Sequence, residues 1–128
     1  MKKFLYVTLA MVLVALVACN SISNSPADTG KQFYTLIING KVNDAYGMIS
    51  KSGQKMLENY AGGAAALSTK TKQAEENGGM KEIQVVSEEV KGDTAVVNLK
   101  IIFNSGNPIV NTLDLIKEDG KWKIAINK

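Results

Sequence analysis

The groups in this chain able to move a proton are carboxylates, lysines and tyrosines. Its 128 residues contain no histidine and no arginine, and Cys19 is the single cysteine. That inventory excludes Ser-His-Asp and Cys-His nucleophiles, histidine-ligated metals and bidentate guanidinium clamps. By strand parity, Gln84, Glu88, Asn111 and Lys117 share the face that carries the core. A carboxylate placed there could have a raised pKa and serve as a base. A plainer reading suits them better: Gln84 and Glu88 fall on an edge strand, where inward polar residues discourage aggregation, and Lys117 can reach water past Trp122. We therefore expect no catalytic residue and no enzyme. Glu75-Glu76 and Glu88-Glu89 are adjacent pairs whose side chains diverge, and no EF-hand spacing or phosphate-loop ending occurs. No metal and no cofactor is expected.

What remains is shape and apolar surface. Phe33, Tyr34, Tyr46, Met56 and Tyr60 on helices, with Asn111 and Trp122 on strands, are the candidate lining of a pocket for a lipid or aromatic ligand. The same spacing also suits plain core packing, the commoner use of aromatics and methionine in a small domain. Fifteen lysines against 12 acidic residues give +3, and Lys2 and Lys3 supply two of those charges. No basic surface for nucleic acid is implied.

Lys2 and Lys3 precede an apolar stretch, Phe4 to Ala18, that is shorter than the roughly 20 residues needed to cross a bilayer. The stretch fits a secretory signal. Its end, Leu16-Val17-Ala18-Cys19, resembles the lipobox of bacterial lipoproteins. The resemblance implies cleavage before Cys19 and a diacylglyceryl group on its sulfur, so that residues 1–18 are a signal peptide and 19–25 a lipidated tether. Two or more acyl chains give stable attachment. Asn20 is not the aspartate associated with inner-membrane retention, so a lipid-anchored envelope protein is expected. It would lie in the outer membrane of a Gram-negative cell, or on the outer face of a single membrane.

Residues 26–128 read as one domain. Ser25, Pro26 and Asp28 form a helix start, and Ala27, Phe33, Tyr34, Ile37 and Ile38 make an apolar stripe interrupted by Gly30 and ended by Asn39-Gly40. Further helices are predicted over Val42–Ile49, Ser52–Tyr60 and, weakly, Ala64–Glu76, the last as a mobile segment at the edge of the fold. From Met80 the period becomes two. Strands are predicted over Lys81–Val90, Thr94–Phe103, Pro108–Lys117 and Lys121–Asn127, joined by short turns into an antiparallel meander.

Register follows from the turns. A two-residue Asp119-Gly120 turn pairs Lys117 with Trp122, Leu115 with Ile124 and Leu113 with Ile126. A two-residue Gly92-Asp93 turn sets Val86 opposite Leu99 and Val90 opposite Ala95. Both apolar sets share one face only if the middle hairpin has an odd loop, such as Ser105-Gly106-Asn107, or a bulge. The three-residue loop would place Asn111 opposite Ile101.

Phe33-Tyr34, Asn39-Gly40-Lys41, Ala45-Tyr46 and Ile49-Ser50, followed by a sheet ending in Asp119-Gly120-Lys121-Trp122-Lys123-Ile124, resemble the nuclear transport factor 2-like superfamily. More narrowly, the chain is similar to small bacterial lipoproteins grouped as a lumazine-binding-related domain of unknown function. The resemblance implies an α+β fold, N-terminal helices packed on a curved four-stranded antiparallel meander, shaped as a cone with a pocket at its mouth. The function expected is non-enzymatic binding of a small apolar ligand or of an envelope protein. The alternatives are a protein-interaction module without a pocket, including a homodimer through the sheet, and an isomerase- or dehydratase-like enzyme.

Overall fold

A computed structural model describes residues 25–126. The proposed signal, Cys19 and all of the tether before Ser25 lie outside the described residues, as does Asn127 at the end of the last predicted strand. Helix α1 (Pro26–Ile38) begins where its capping chemistry dictates: the Ser25 hydroxyl accepts from the Asp28 N–H at 3.1 Å and Pro26 opens the first turn. It ends in a Schellman arrangement. Gly40, at φ +80°, donates to the Ile37 carbonyl and Lys41 donates to that of Leu36. Gly30 does not merely interrupt the apolar stripe. A Cβ there would stand 3.1 Å from Leu99 Cδ1 and 3.2 Å from Leu113 Cδ1, so the missing side chain lets α1 settle directly on the sheet.

Helix α2 (Val42–Tyr46) is shorter than the periodicity suggested, and α3 (Lys51–Tyr60) begins a residue earlier than predicted. The chain between them leaves the helical path to pair with the sheet. Ile49 forms a parallel bridge with Ile124, through Ser50 N to Ile124 O at 2.8 Å and Ile124 N to Met48 O at 2.9 Å. Ser50 then caps α3, its hydroxyl accepting from Gly53 N. A 3-10 turn (Gly63–Leu67) leads into α4 (Ser68–Glu76).

The weak apolar content of α4 suggested a mobile edge, yet it is pinned at both ends. Thr71 donates to the Ile37 carbonyl at 2.5 Å and Ala74 is buried. Beyond its C-terminus, Ser105 N donates to Asn77 O and Asn104 Nδ2 to Gly78 O. Small residues and hydrogen bonds hold it where large apolar side chains are lacking.

Strands β1 (Met80–Lys91), β2 (Thr94–Phe103), β3 (Ile109–Glu118) and β4 (Lys121–Ala125) form a sheet in sequence order, every neighbour antiparallel. The last hairpin has the predicted register, Lys117 opposite Trp122 and Leu115 opposite Ile124, and the ladder stops at Ala125. Both Asp119 and Gly120 have positive φ, the type I′ pattern that matches strand twist. The first hairpin pairs Val90 with Ala95 as predicted, but Val85, not Val86, stands opposite Leu99. Val86 is the extra residue of a bulge. The bulge inverts the parity of the strand start, turning Gln84 to the outer face opposite Lys100 and Ile83 into the core.

The middle loop is odd, as the face argument required, but wider than three residues. Asn111 stands opposite Leu99, and Ile109 takes the place opposite Ile101. The cause is the pull of α4: Asn104 and Ser105 donate to Gly79 and Asn77 instead of extending the β2–β3 ladder.

The core lies between α1 and the inner face of the sheet. Phe33, Tyr34 and Ile37 meet Val97, Leu99, Ile101, Leu115 and Ile124, all buried. The buried apolar residues among those described run from Ala27 to Ile124, so the domain carries its own core downstream of the tether. The architecture is α+β, helices first and a four-stranded antiparallel meander after them.

Candidate functional site

Beside the core, where α1, the 3-10 turn and the start of α4 face the β3–β4 edge, is an open cleft of about 410 Å³. That volume lies in the range of small-molecule sites. Helix α1 contributes Phe33, Tyr34 and Ile37, the 3-10 turn Ala66 and Leu67, and α4 Thr69 and Lys70. The sheet supplies Leu113 with its neighbours Thr112 and Asp114, and Ile124 through Ile126. The opening arises because β4 is half the length of β3 and ends at Ala125, leaving the first half of β3 unpaired on that side.

The wall is mostly apolar with a few polar groups. Tyr34 stacks edge-on to Phe33, ring centroids 5.6 Å apart. Burial pushes its phenol up to about 12, so it is a neutral donor across the physiological range. Thr112 and Asp114 alternate onto the outer face of the sheet. There Thr112 donates to Asn98 Oδ1 at 2.5 Å, Asn98 Nδ2 donates to Ser87 Oγ at 2.7 Å, and Asp114 stands opposite Val96.

The sequence-derived pocket residues divide. Phe33 and Tyr34 meet in the cleft, whereas Tyr46, Met56, Tyr60, Asn111 and Trp122 are outside its wall. Tyr46 instead ties α2 to α3: its hydroxyl donates to Glu58 Oε1 at 2.7 Å, and Gln54 Nε2 returns a bond to the Tyr46 carbonyl. Its phenol is shifted upward by desolvation and by the Glu58 carboxylate it bonds. Met56 is half-buried on α3, and Tyr60, at 77% exposure, ends that helix pointing into solvent. Trp122 packs on the rim of the core with the Lys117 ammonium 5.2 Å from its ring centroid, a cation–π pair set up by their register. Glu88 shares the core-side face with Val97 but is exposed at the sheet edge.

Asn111 is on the core side of β3, and its Nδ2 is buried with no hydrogen-bond partner. A buried unpaired amide donor costs about 1–3 kcal/mol. Asn111→Leu is therefore expected to stabilise the fold by about 1 kcal/mol or more, seen as a higher urea midpoint at unchanged m-value. A lower midpoint would show that the amide is satisfied in solution.

Tyr34 makes a second expectation. An unfolded tyrosine titrates near 10, so between that pH and about 12 the folded state keeps a proton that the unfolded state has released. The stability this contributes is intact below pH 10 and is lost as pH rises through 12. Urea unfolding between pH 8 and 11 should show wild type losing stability more steeply than Tyr34→Phe, toward a limit of about 2–3 kcal/mol for a two-unit shift. Parallel curves would mean that the phenol is solvated.

Ile37, Leu67, Thr69, Lys70, Leu113, Ile124 and Ile126 are among the lining residues that the aromatic pattern did not pick out. Ile37 was on the α1 stripe, and Leu113, Ile124 and Ile126 were on the inward parity of the last hairpin, but nothing local marks Lys70.

A second cavity, about 350 Å³, lies among Lys51, Gln54, Glu118, Asp119, Lys121 and Lys123. Its polar groups serve the fold: Glu118 Oε1 accepts from Lys51 N and Lys123 Nζ donates to the Gly47 carbonyl. Among the described residues no cluster of three or more His, Cys, Asp or Glu could hold a metal, and no helix is long and apolar enough to cross a membrane.

Helices leading into this meander, with a cleft beside the inner face of the sheet, match the fold of a solved NTF2-like protein. Among the solved structures that match is a Campylobacter jejuni protein, provisionally described as an NTF2-like transpeptidase. It is 21% identical with a TM-score of 0.68, over 80% of this chain and 98% of that one. At that identity the likeness concerns the fold. The chain belongs to the family described as domain of unknown function DUF4878, which matches residues 17–125. No curated protein matches it.

Proposed function

We propose that this is a lipid-anchored, non-enzymatic envelope protein whose NTF2-like domain holds a small apolar ligand. The observation that carries the reading is the cleft of about 410 Å³ walled by Phe33, Ile37, Leu67, Leu113, Ile124 and Ile126. Apolar walls with a few polar groups are the usual makeup of a small-molecule site. Anchoring rests on Leu16-Val17-Ala18-Cys19 and the preceding apolar stretch. Lipid on Cys19 would hold the domain at the outer membrane of a Gram-negative cell, or at the outer face of a single membrane. The kinship with lumazine-binding-related lipoproteins rests on the Asp119-Gly120-Lys121-Trp122 hairpin and the helix motifs before it.

The test is purification of the native protein from membranes and mass spectrometry of what comes with it. A mature chain beginning at acylated Cys19, with a stoichiometric lipid or aromatic compound, is the expected result. An unmodified Cys19 would end the anchoring reading. An empty domain with a stoichiometric protein would favour the second reading, a protein-interaction module. That reading draws on Val96, Val110 and Ile116, which are exposed on the outer face of the sheet.

A further inference from the structure

We propose that the cleft selects a single-chain amphiphile with a carboxylate head, its tail lying along Ile37, Leu67, Leu113 and Ile126 and its head beside Lys70. This rests on the ligand-binding reading above and names the class of ligand.

The charged residues of the cleft wall are Lys70 and Asp114. Asp114 reaches the cleft rim from the outer face of the sheet, opposite Val96, whereas Lys70 is the charged residue, among those described, that the helices bring to it. Lys70 is half-buried at the start of α4, and no carboxylate among the described residues pairs with it. An ammonium whose stem packs on apolar surface while its head stays wet is placed to meet an anion at the end of an apolar tail. Two further donors point the same way. Among the described residues nothing accepts from the Tyr34 or Thr69 hydroxyl, and both line the cleft. A carboxylate is an acceptor with room for several such bonds, whereas an ammonium head would find donors and a like charge. The position is held, since Thr71, next to Lys70, bonds the last turn of α1.

The experiment is calorimetric titration of the chain from Asn20 onward, which contains the whole core, with decanoate, decanol and decyltrimethylammonium at pH 8. Decanoate is expected to bind about tenfold more tightly than decanol, equivalent to about 1.4 kcal/mol, with the cation weakest. Lys70→Met, which keeps the apolar stem, should bring decanoate to the affinity of decanol, and Lys70→Arg should retain the preference. Raised salt should narrow the gap in wild type, because the head group is near solvent. Decanol binding as tightly as decanoate, or a preference that survives Lys70→Met, would overturn the assignment of head group while leaving an apolar site in place. Failure of all three probes to bind would overturn both this inference and the ligand-binding reading.

Discussion

Leu99→Ala is expected to cost about 2–5 kcal/mol, a large share of the 5–15 kcal/mol that usually holds a small domain together. Leu99 has no exposed surface, and its strand neighbours are Val85 and Asn111. Above it the α1 backbone comes so close at Gly30 that even a Cβ would stand 3.1 Å from Leu99 Cδ1. A truncated side chain therefore leaves a void under a helix that cannot sink to fill it. Helix α1 is held by its contacts to β1, β2 and β4 and by Thr71 at its last turn. Because collapse is blocked, the cavity contribution adds to the lost transfer energy. Urea unfolding followed by circular dichroism and by Trp122 fluorescence measures it. A loss below about 1 kcal/mol would mean that α1 relaxes onto the sheet, against the packing described here.

Gly53→Ala is expected to destabilise the fold by about 1–3 kcal/mol, although alanine in place of glycine inside a helix ordinarily stabilises by about 1 kcal/mol. The reversal comes from packing. A Cβ at position 53 would lie 2.7 Å from Ile49 Cγ2 and 3.0 Å from both Ile126 Cγ1 and Ser50 Oγ. Ile49 is buried in the strand bridge to Ile124, and Ser50 is committed to capping α3 through Gly53 N itself. Ile49 Cγ2 has closed core around it, and Ser50 Oγ cannot withdraw without giving up the cap bond. Ile126 is the neighbour with freedom to shift, and it lines the cleft. The variant should thus melt lower and bind an apolar probe more weakly than wild type. A thermal midpoint above that of wild type would show that helix propensity outweighs the contact.

Local chemistry explains which parts of this structure were legible in the sequence. The start of α1 was readable because Ser25, Pro26 and Asp28 act within a single turn, and its end because Asn39-Gly40 sets a left-handed cap. The Asp119-Gly120 turn fixed the last register for the same reason. The bulge at Val86 was not readable. Nothing in the run Gln84-Val85-Val86-Ser87 marks which valine is the extra residue, and the choice is made by Ser87 meeting Asn98 across the strands. Asn111 moved from opposite Ile101 to opposite Leu99 because the middle loop bonds to Asn77 and Gly79, a tertiary contact with no local signature.

The candidate site was legible in its aromatic half only. Phe33 and Tyr34 are adjacent on α1 and take their place in the cleft wall from the helix stripe. Tyr46 and Tyr60 share the residue type but not the place, since Tyr46 is drawn to Glu58 and Tyr60 ends α3 in solvent. Lys70 shows the converse. Its position depends on a weakly amphipathic helix held by Thr71, Ala74 and the Asn77 turn, and no run of apolar residues announces that helix.

The decisive property is whether the cleft beside Tyr34 takes an apolar molecule. The direct measurement is a methyl NMR titration of the domain with decanol, following isoleucine, leucine and valine signals. Saturable shifts confined to Ile37, Leu67, Leu113, Ile124 and Ile126, with Leu99 and Ile101 of the closed core little changed, are the expected result. Shifts spread over Val96, Val110 and Ile116 on the outer face, or no saturable shift at all, would contradict it.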